Sequence, residues 1–194
     1  MIPGALRKYS DIIRQHHPAV IGSSTRYRGA SLANLIKSLA NSVYRDRVYD
    51  PGQFARFLDD GPLAPSGALF DFGVADKEEF LFSDRFPYSA DEELWPRLLK
   101  RHRIVRTGYY VNRSYSLGGE NYEIETWKEP DFLHNYFQIR AAIIDHAGGD
   151  DHVRQILRCD VERFARNVEQ GRHPGIERSY TEILDLYEAV INGT

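Results

Sequence analysis

A chain of 194 residues that is 42% hydrophobic and 27% charged carries enough apolar mass for one packed globular domain, which excludes disorder over most of its length. Its formal charge of -3 and pI near 6.2 exclude a general nucleic-acid coat or a binder of anionic membranes, because both need an excess of Lys and Arg; a local basic patch is compatible with that balance. Cys159 is the only cysteine, so no intrachain disulfide is expected, and no apolar run approaches the roughly 20 residues that span a bilayer; the chain reads as soluble and cytoplasmic.

Leu6, Tyr9, Ile12 and Ile13 form a helical stripe that ends near Pro18, and residues 19–28 read as one or two short strands. Leu32, Leu35, Ile36, Leu39 and Val43 then recur at helical spacing behind Ser31, which is placed as an N-cap. Turn formers at 50–52, 59–62 and 65–67 bracket a short helix over 54–58. Residues 68–74 and 79–83 read as strands. Ser89-Ala90-Asp91-Glu92 has the form of a capping box, and Pro96 is expected to break or kink the helix that it starts, with the next helical run over 96–102.

Residues 104–112 are rich in β-branched and aromatic types, Gly118-Gly119 supplies a turn, and 121–127 alternates again, so 105–111 and 122–127 are expected to pair as an antiparallel hairpin. Amphipathic helices are predicted over 131–146, 150–170 and 175–191, with Gly148-Gly149 and Gly171 at their ends. Cys159 is expected to be a buried structural residue beside Val153, Ile156, Leu157, Val161, Phe164 and Val168. With no repeat or long linker, the expected fold is a single α+β domain over 1–194. Its mixed part, 1–128, has a small antiparallel sheet, and 129–194 forms a helical C-terminal layer.

The segment Ser24-Thr25-Arg26-Tyr27-Arg28-Gly29-Ala30-Ser31 has the composition of an anion-handling corner. Guanidinium groups bind phosphate bidentately, glycine admits a ligand to the backbone, and a following helix would present free N–H groups. On a strand Glu123 and Glu125 would share a face. Tyr27-Arg28-Gly29, the serine of Phe82-Ser83-Asp84 and Glu123-Ile124-Glu125 together resemble the signature of Arg-Ser-Glu ADP-ribosyltransferases. That resemblance implies NAD as the cofactor, with Arg28 on the dinucleotide phosphates and Ser83 bracing the nicotinamide side. Glu125 would stabilise the ribosyl cation and Glu123 would position the acceptor. The same residues equally suit plain roles, with Arg28 in an ion pair, Ser83 capping a turn and the glutamates on the wet face of a hairpin.

Arg166 followed by His173 resembles the Arg-x(4–6)-His motif of HEPN-type ribonucleases, which implies activation of a ribose hydroxyl; basic residues capping a helix give the same pattern. Asp131, His134, Asp145, His146, Asp150, Asp151 and His152 gather oxygen and nitrogen donors without a His-x3-His or Cys-x2-Cys pair, and no metal ligand set is assigned to them. Tyr110, Arg113 and Tyr115, in the run from Tyr109 to Ser116, form a recognition segment, since Tyr and Arg are enriched at binding hot spots.

Two function classes follow. The favoured one is a soluble interaction protein that binds a protein partner, or a second copy of itself, through the Tyr/Arg-rich segment. The other is an enzyme that handles a phosphate-bearing ligand, with Arg26 and Arg28 binding it and Ser83, Glu123 and Glu125 catalysing transfer.

Overall fold

The computed structural model describes residues 5–23, 26–28, 46–61, 63–87, 89–108, 113–115, 132–173 and 175–193. The chain forms two compact units, Met1–Leu81 with Arg97–Leu117, and Phe82–Pro96 with Gly118–Thr194. The architecture is α+β, and no helix among the described residues is long and apolar enough to cross a membrane.

In the first unit α1 (Ala5–His16) precedes β1 (Val20–Ser23) and β2 (Arg26–Arg28). Among the described residues there follow β3 (Arg47–Tyr49), α2 (Phe54–Asp59), β4 (Ala64–Phe70), a 3-10 turn (Lys77–Phe80), β5 (Ile104–Thr107) and β6 (Arg113–Tyr115). Four strands lie in the order β3-β5-β1-β4, with β1 parallel to β5 and antiparallel to β4, and β3 antiparallel to β5. The sheet is therefore mixed rather than antiparallel. A parallel pair needs a long crossover, which leaves no turn motif in the sequence to announce it.

Register places Val48, Val105, Ile21 and Leu69 in one row across these strands, and α1 lays Tyr9 and Ile12 on that face. The next row, Tyr49, Ile104, Val20 and Phe70, belongs to the opposite face because side chains alternate. There Phe57 of α2 meets Tyr49 edge to face at 5.2 Å, and Phe80 meets Phe70 at 5.0 Å. Cover on both faces accounts for the adjacent apolar pairs Val20-Ile21 and Ile104-Val105.

The two edges of β5 over 104–106 are occupied by β1 and β3, so this stretch does not form the expected hairpin. Its intended partner, 122–127, lies outside the described residues, as does the helix expected behind Ser31. Residues 79–83 do not form a strand. Phe80 closes a 3-10 turn instead, where the Glu79 carboxylate accepts a hydrogen bond from the Asp76 N–H at 3.3 Å, and turn chemistry there outweighs the apolar run.

Helix α3 (Ala90–Leu99) contributes its first turns to the second unit and continues through Pro96, so the proline does not end it. Leu94 and Trp95 before the proline, and Leu98 and Leu99 after it, are all buried, and that burial offsets the missing backbone hydrogen bond. Helices α4 (Phe132–His146), α5 (Asp151–Glu169) and α6 (Tyr180–Asn192) also belong to this unit. Their core joins Phe132, Tyr136 and Phe137 to Val161, Phe164, Ala165, Ile183 and Tyr187.

Gly148 and Gly149 both adopt positive φ where α4 turns into α5, a conformation that L side chains rarely enter. Asp150 caps α5 by accepting from the His152 and Val153 N–H groups. Helix α6 begins later than 175 because Ser179 and Glu182 form a capping box. On α5 the buried positions are Val153, Leu157, Val161, Phe164, Ala165 and Val168, and Cys159 falls on the exposed side, not in the core as expected.

Candidate binding surfaces

Arg26 and Arg28 lie on β2, and Arg113 and Tyr115 on β6, and the structure brings these distant segments together as a two-stranded parallel ladder. Its register sets Arg26 beside Arg113, Tyr27 beside Ser114 and Arg28 beside Tyr115. The sequence singled out both segments separately; their pairing is a product of tertiary structure. Tyr110, Glu123 and Glu125 lie outside the described residues. Ser83 belongs to the second unit, where its Oγ accepts a hydrogen bond from the Arg85 N–H at 3.3 Å within a turn. That is the capping role open to it from sequence.

Of the ribonuclease-like pair, Arg166 is exposed on α5, and the His173 ring lies 5.1 Å from that of Phe164. Two of the donors near the α4–α5 turn, His146 and Asp150, have structural engagements. His146 Nε2 is 2.7 Å from Glu93 Oε1, and Asp150 caps its helix. Among the described residues no group of three or more His, Cys, Asp or Glu side chains is arranged to hold a metal ion.

The principal charge clusters are built for cohesion. In the first unit Arg47 pairs with Asp60, whose other oxygen accepts from the Tyr49 hydroxyl at 2.5 Å, while Arg106 donates to the Asp60 and Gly61 carbonyls. In the second unit the buried Arg140 reaches Glu92 Oε2 and Asp160 Oδ2, each at 3.0 Å, and its guanidinium lies 3.3 Å from the Tyr136 ring centre. Burial alone would lower the Arg140 pKa, but Tyr136, Glu92 and Asp160 around it raise it, so it stays charged.

A surface missed in the sequence lies on residues 71–81. Phe72 is 62% exposed and Leu81 59%, with Val74 also exposed. Their backbone is nonetheless pinned. Asp71 Oδ1 accepts from the Gly73 N–H, and Arg97 donates to the carbonyls of Glu79 and Leu81 at 2.9 and 2.6 Å. A hydrogen bond with His102, 3.0 Å away, holds the Glu79 carboxyl below its ordinary range. Phe72 also packs edge to face on Phe80 at 5.3 Å. The signal was present in the turn formers Asp71, Gly73 and Asp76, which interrupt the apolar run.

No protein family, curated protein or solved structure matches this chain.

Proposed function

We propose that this is a non-catalytic interaction protein that docks on a protein partner, using the 71–81 surface with Phe72 and Leu81 as anchors. The supporting observation is the fixed presentation of these apolar side chains. A mobile segment would bury such residues against its own unit. Here the Gly73 N–H donates to the Asp71 carboxylate and Arg97 donates to the Glu79 and Leu81 carbonyls, and on the backbone they hold, Phe72 and Leu81 are largely exposed. Pre-ordered aromatic and aliphatic side chains bind at low entropic cost, and large apolar side chains left exposed on an ordered segment are suited to contact a partner. The partner surface that fits is an apolar pocket wide enough for a phenyl ring. The Tyr110, Arg113 and Tyr115 segment is a second contact region in this reading.

The experiment places a photo-crosslinking amino acid at position 72 and, as a control, at the exposed Arg163, in the host cell. One partner captured from position 72 alone, and lost when Leu81→Ser is added, supports the reading. Equal capture from both positions, or capture that Leu81→Ser leaves unchanged, refutes it. Phe72→Ser should lower the unfolding free energy by about 0.5–1.5 kcal/mol, the worth of its edge-to-face contact with Phe80, and leave the protein folded.

A further inference from the structure

The 71–81 segment is acidic as well as apolar. Asp71, Asp76, Glu78 and Glu79 stand against a single lysine, Lys77, so these residues alone carry the formal charge, -3, of the whole chain. Two successive tight turns hold them together. The Val74 and Ala75 N–H groups donate to the Asp71 carbonyl, the Glu79 N–H to that of Asp76 and the Leu81 N–H to that of Glu78. Asp76, Lys77 and Glu78 are exposed, and they lie in the chain between the exposed Val74 and Leu81.

The cations that act on this segment from elsewhere in the unit are spent at its C-terminal end. His102 hydrogen-bonds Glu79, Arg101 acts on the same carboxylate, and Arg97 donates to the Glu79 and Leu81 carbonyls. Asp71 accepts from the Gly73 N–H, and among the described residues neither it nor Asp76 nor Glu78 forms an ion pair. Other carboxylates of this unit are matched: Asp46 by Lys8, Asp50 by Arg103 and Asp60 by Arg47.

Uncompensated carboxylates beside exposed apolar side chains repel nucleic-acid phosphates and anionic lipid headgroups, and attract ammonium and guanidinium groups. We infer that the partner of this surface is a basic protein segment, one that offers an apolar recess to Phe72 and Leu81 and rims it with lysine or arginine. This rests on the docking role proposed for these residues and adds the chemistry of what docks. Burial of the apolar anchors supplies the affinity, while the carboxylates around them set encounter rate and choice of partner. A second copy of the same surface is disfavoured, because a two-fold contact would set these carboxylates against one another.

The probe is a fluorescein-labelled amphipathic helical peptide of leucine, alanine and lysine, titrated with the full chain and followed by anisotropy. Two companion peptides replace every lysine by glutamate or every leucine by serine. The first should bind saturably and its companions should not. Phe72→Ser should weaken binding about tenfold, as loss of an anchor does. Asp76→Asn combined with Glu78→Gln should weaken it about threefold or more and flatten its dependence on salt. Glu177→Gln, at an exposed carboxylate of the second unit, should change nothing. The inference is overturned if the lysine peptide does not bind saturably, if either companion binds as tightly, or if the Asp76→Asn, Glu78→Gln variant binds as wild type does. Recruitment to phosphatidylglycerol vesicles without peptide binding also overturns it. The partner crosslinked from position 72 separates the two readings. Capture that Leu81→Ser abolishes, but the Asp76→Asn, Glu78→Gln pair leaves unchanged, overturns the basic partner and keeps the docking role. Capture indifferent to Leu81→Ser overturns the docking role itself.

Discussion

Arg140 on α4 and Glu92 on α3 form an ion pair of 3.0 Å across the second unit, and the arginine is almost wholly removed from water. Its second terminal nitrogen takes Asp160 on α5, so one guanidinium ties together the three helices. Removing a buried charge strands its partners, whereas removing a surface charge does little. Arg140→Ala should therefore cost about 3–5 kcal/mol of unfolding free energy. Arg163→Ala, which removes only an exposed ion pair to Asp160, should cost well under about 1 kcal/mol. Urea denaturation of both variants checks this difference.

The carboxylates of that cluster move in opposite directions. Burial, reinforced by the nearby negative charges of Asp91 and Asp160, pushes the Glu92 carboxyl above 4.5 despite Arg140. For Asp160 burial acts the same way, but the Arg140 ion pair, the Tyr136 hydroxyl and Arg163 outweigh it and hold the carboxyl below 3.8. Between the ordinary and the raised Glu92 values the folded state binds more protons than the unfolded one, so Glu92 favours folding on the acid side, and this benefit is lost as pH rises through the raised value. Asp160 contributes stability above 3.8 that is lost as pH falls through its depressed value. Urea midpoints measured against pH should show Glu92→Gln losing the decline above 4.5, and Asp160→Asn losing the acid-side fall. Profiles parallel to wild type would contradict both assignments.

Gly22 in β1 is closely covered, since a Cβ there would stand 2.5 Å from the buried Leu63 side chain. Leu63 has no solvent to swing into. Gly22→Ala should destabilise the first unit by about 1–3 kcal/mol through overpacking. Combining it with Leu63→Ala should cost less than the sum of the single changes, because the new methyl occupies space that the leucine vacates. A double-mutant cycle by thermal denaturation measures the coupling.

Asp150 accepts hydrogen bonds from His152 N–H at 2.8 Å and Val153 N–H at 3.0 Å at the start of α5. Asp150→Ala should cost about 1 kcal/mol, and Asp150→Ser should recover most of it, since serine also caps. Circular dichroism melts of both variants test the order.

Cys159 is exposed on α5, so the folded protein should react completely with a thiol reagent in the absence of denaturant. A thiol that reacts only after unfolding would return it to the core.

Local periodicity and turn chemistry by themselves determined the helices α1, α2, α4 and α5, the glycine turn between α4 and α5, and the short strands on either side of Ser24. These features depend on contacts within a few residues, which the chain displays directly. The same local logic picked out Arg26, Arg28, Arg113 and Tyr115 by residue type. Only tertiary structure decided that β1 and β5 run parallel, that helix α3 continues through Pro96, that Cys159 faces outward and that Arg26 stands opposite Arg113. Each of those outcomes is set by burial or register between segments far apart in the chain. Neither leaves a local periodicity, so both become visible only when the strands and helices are placed together.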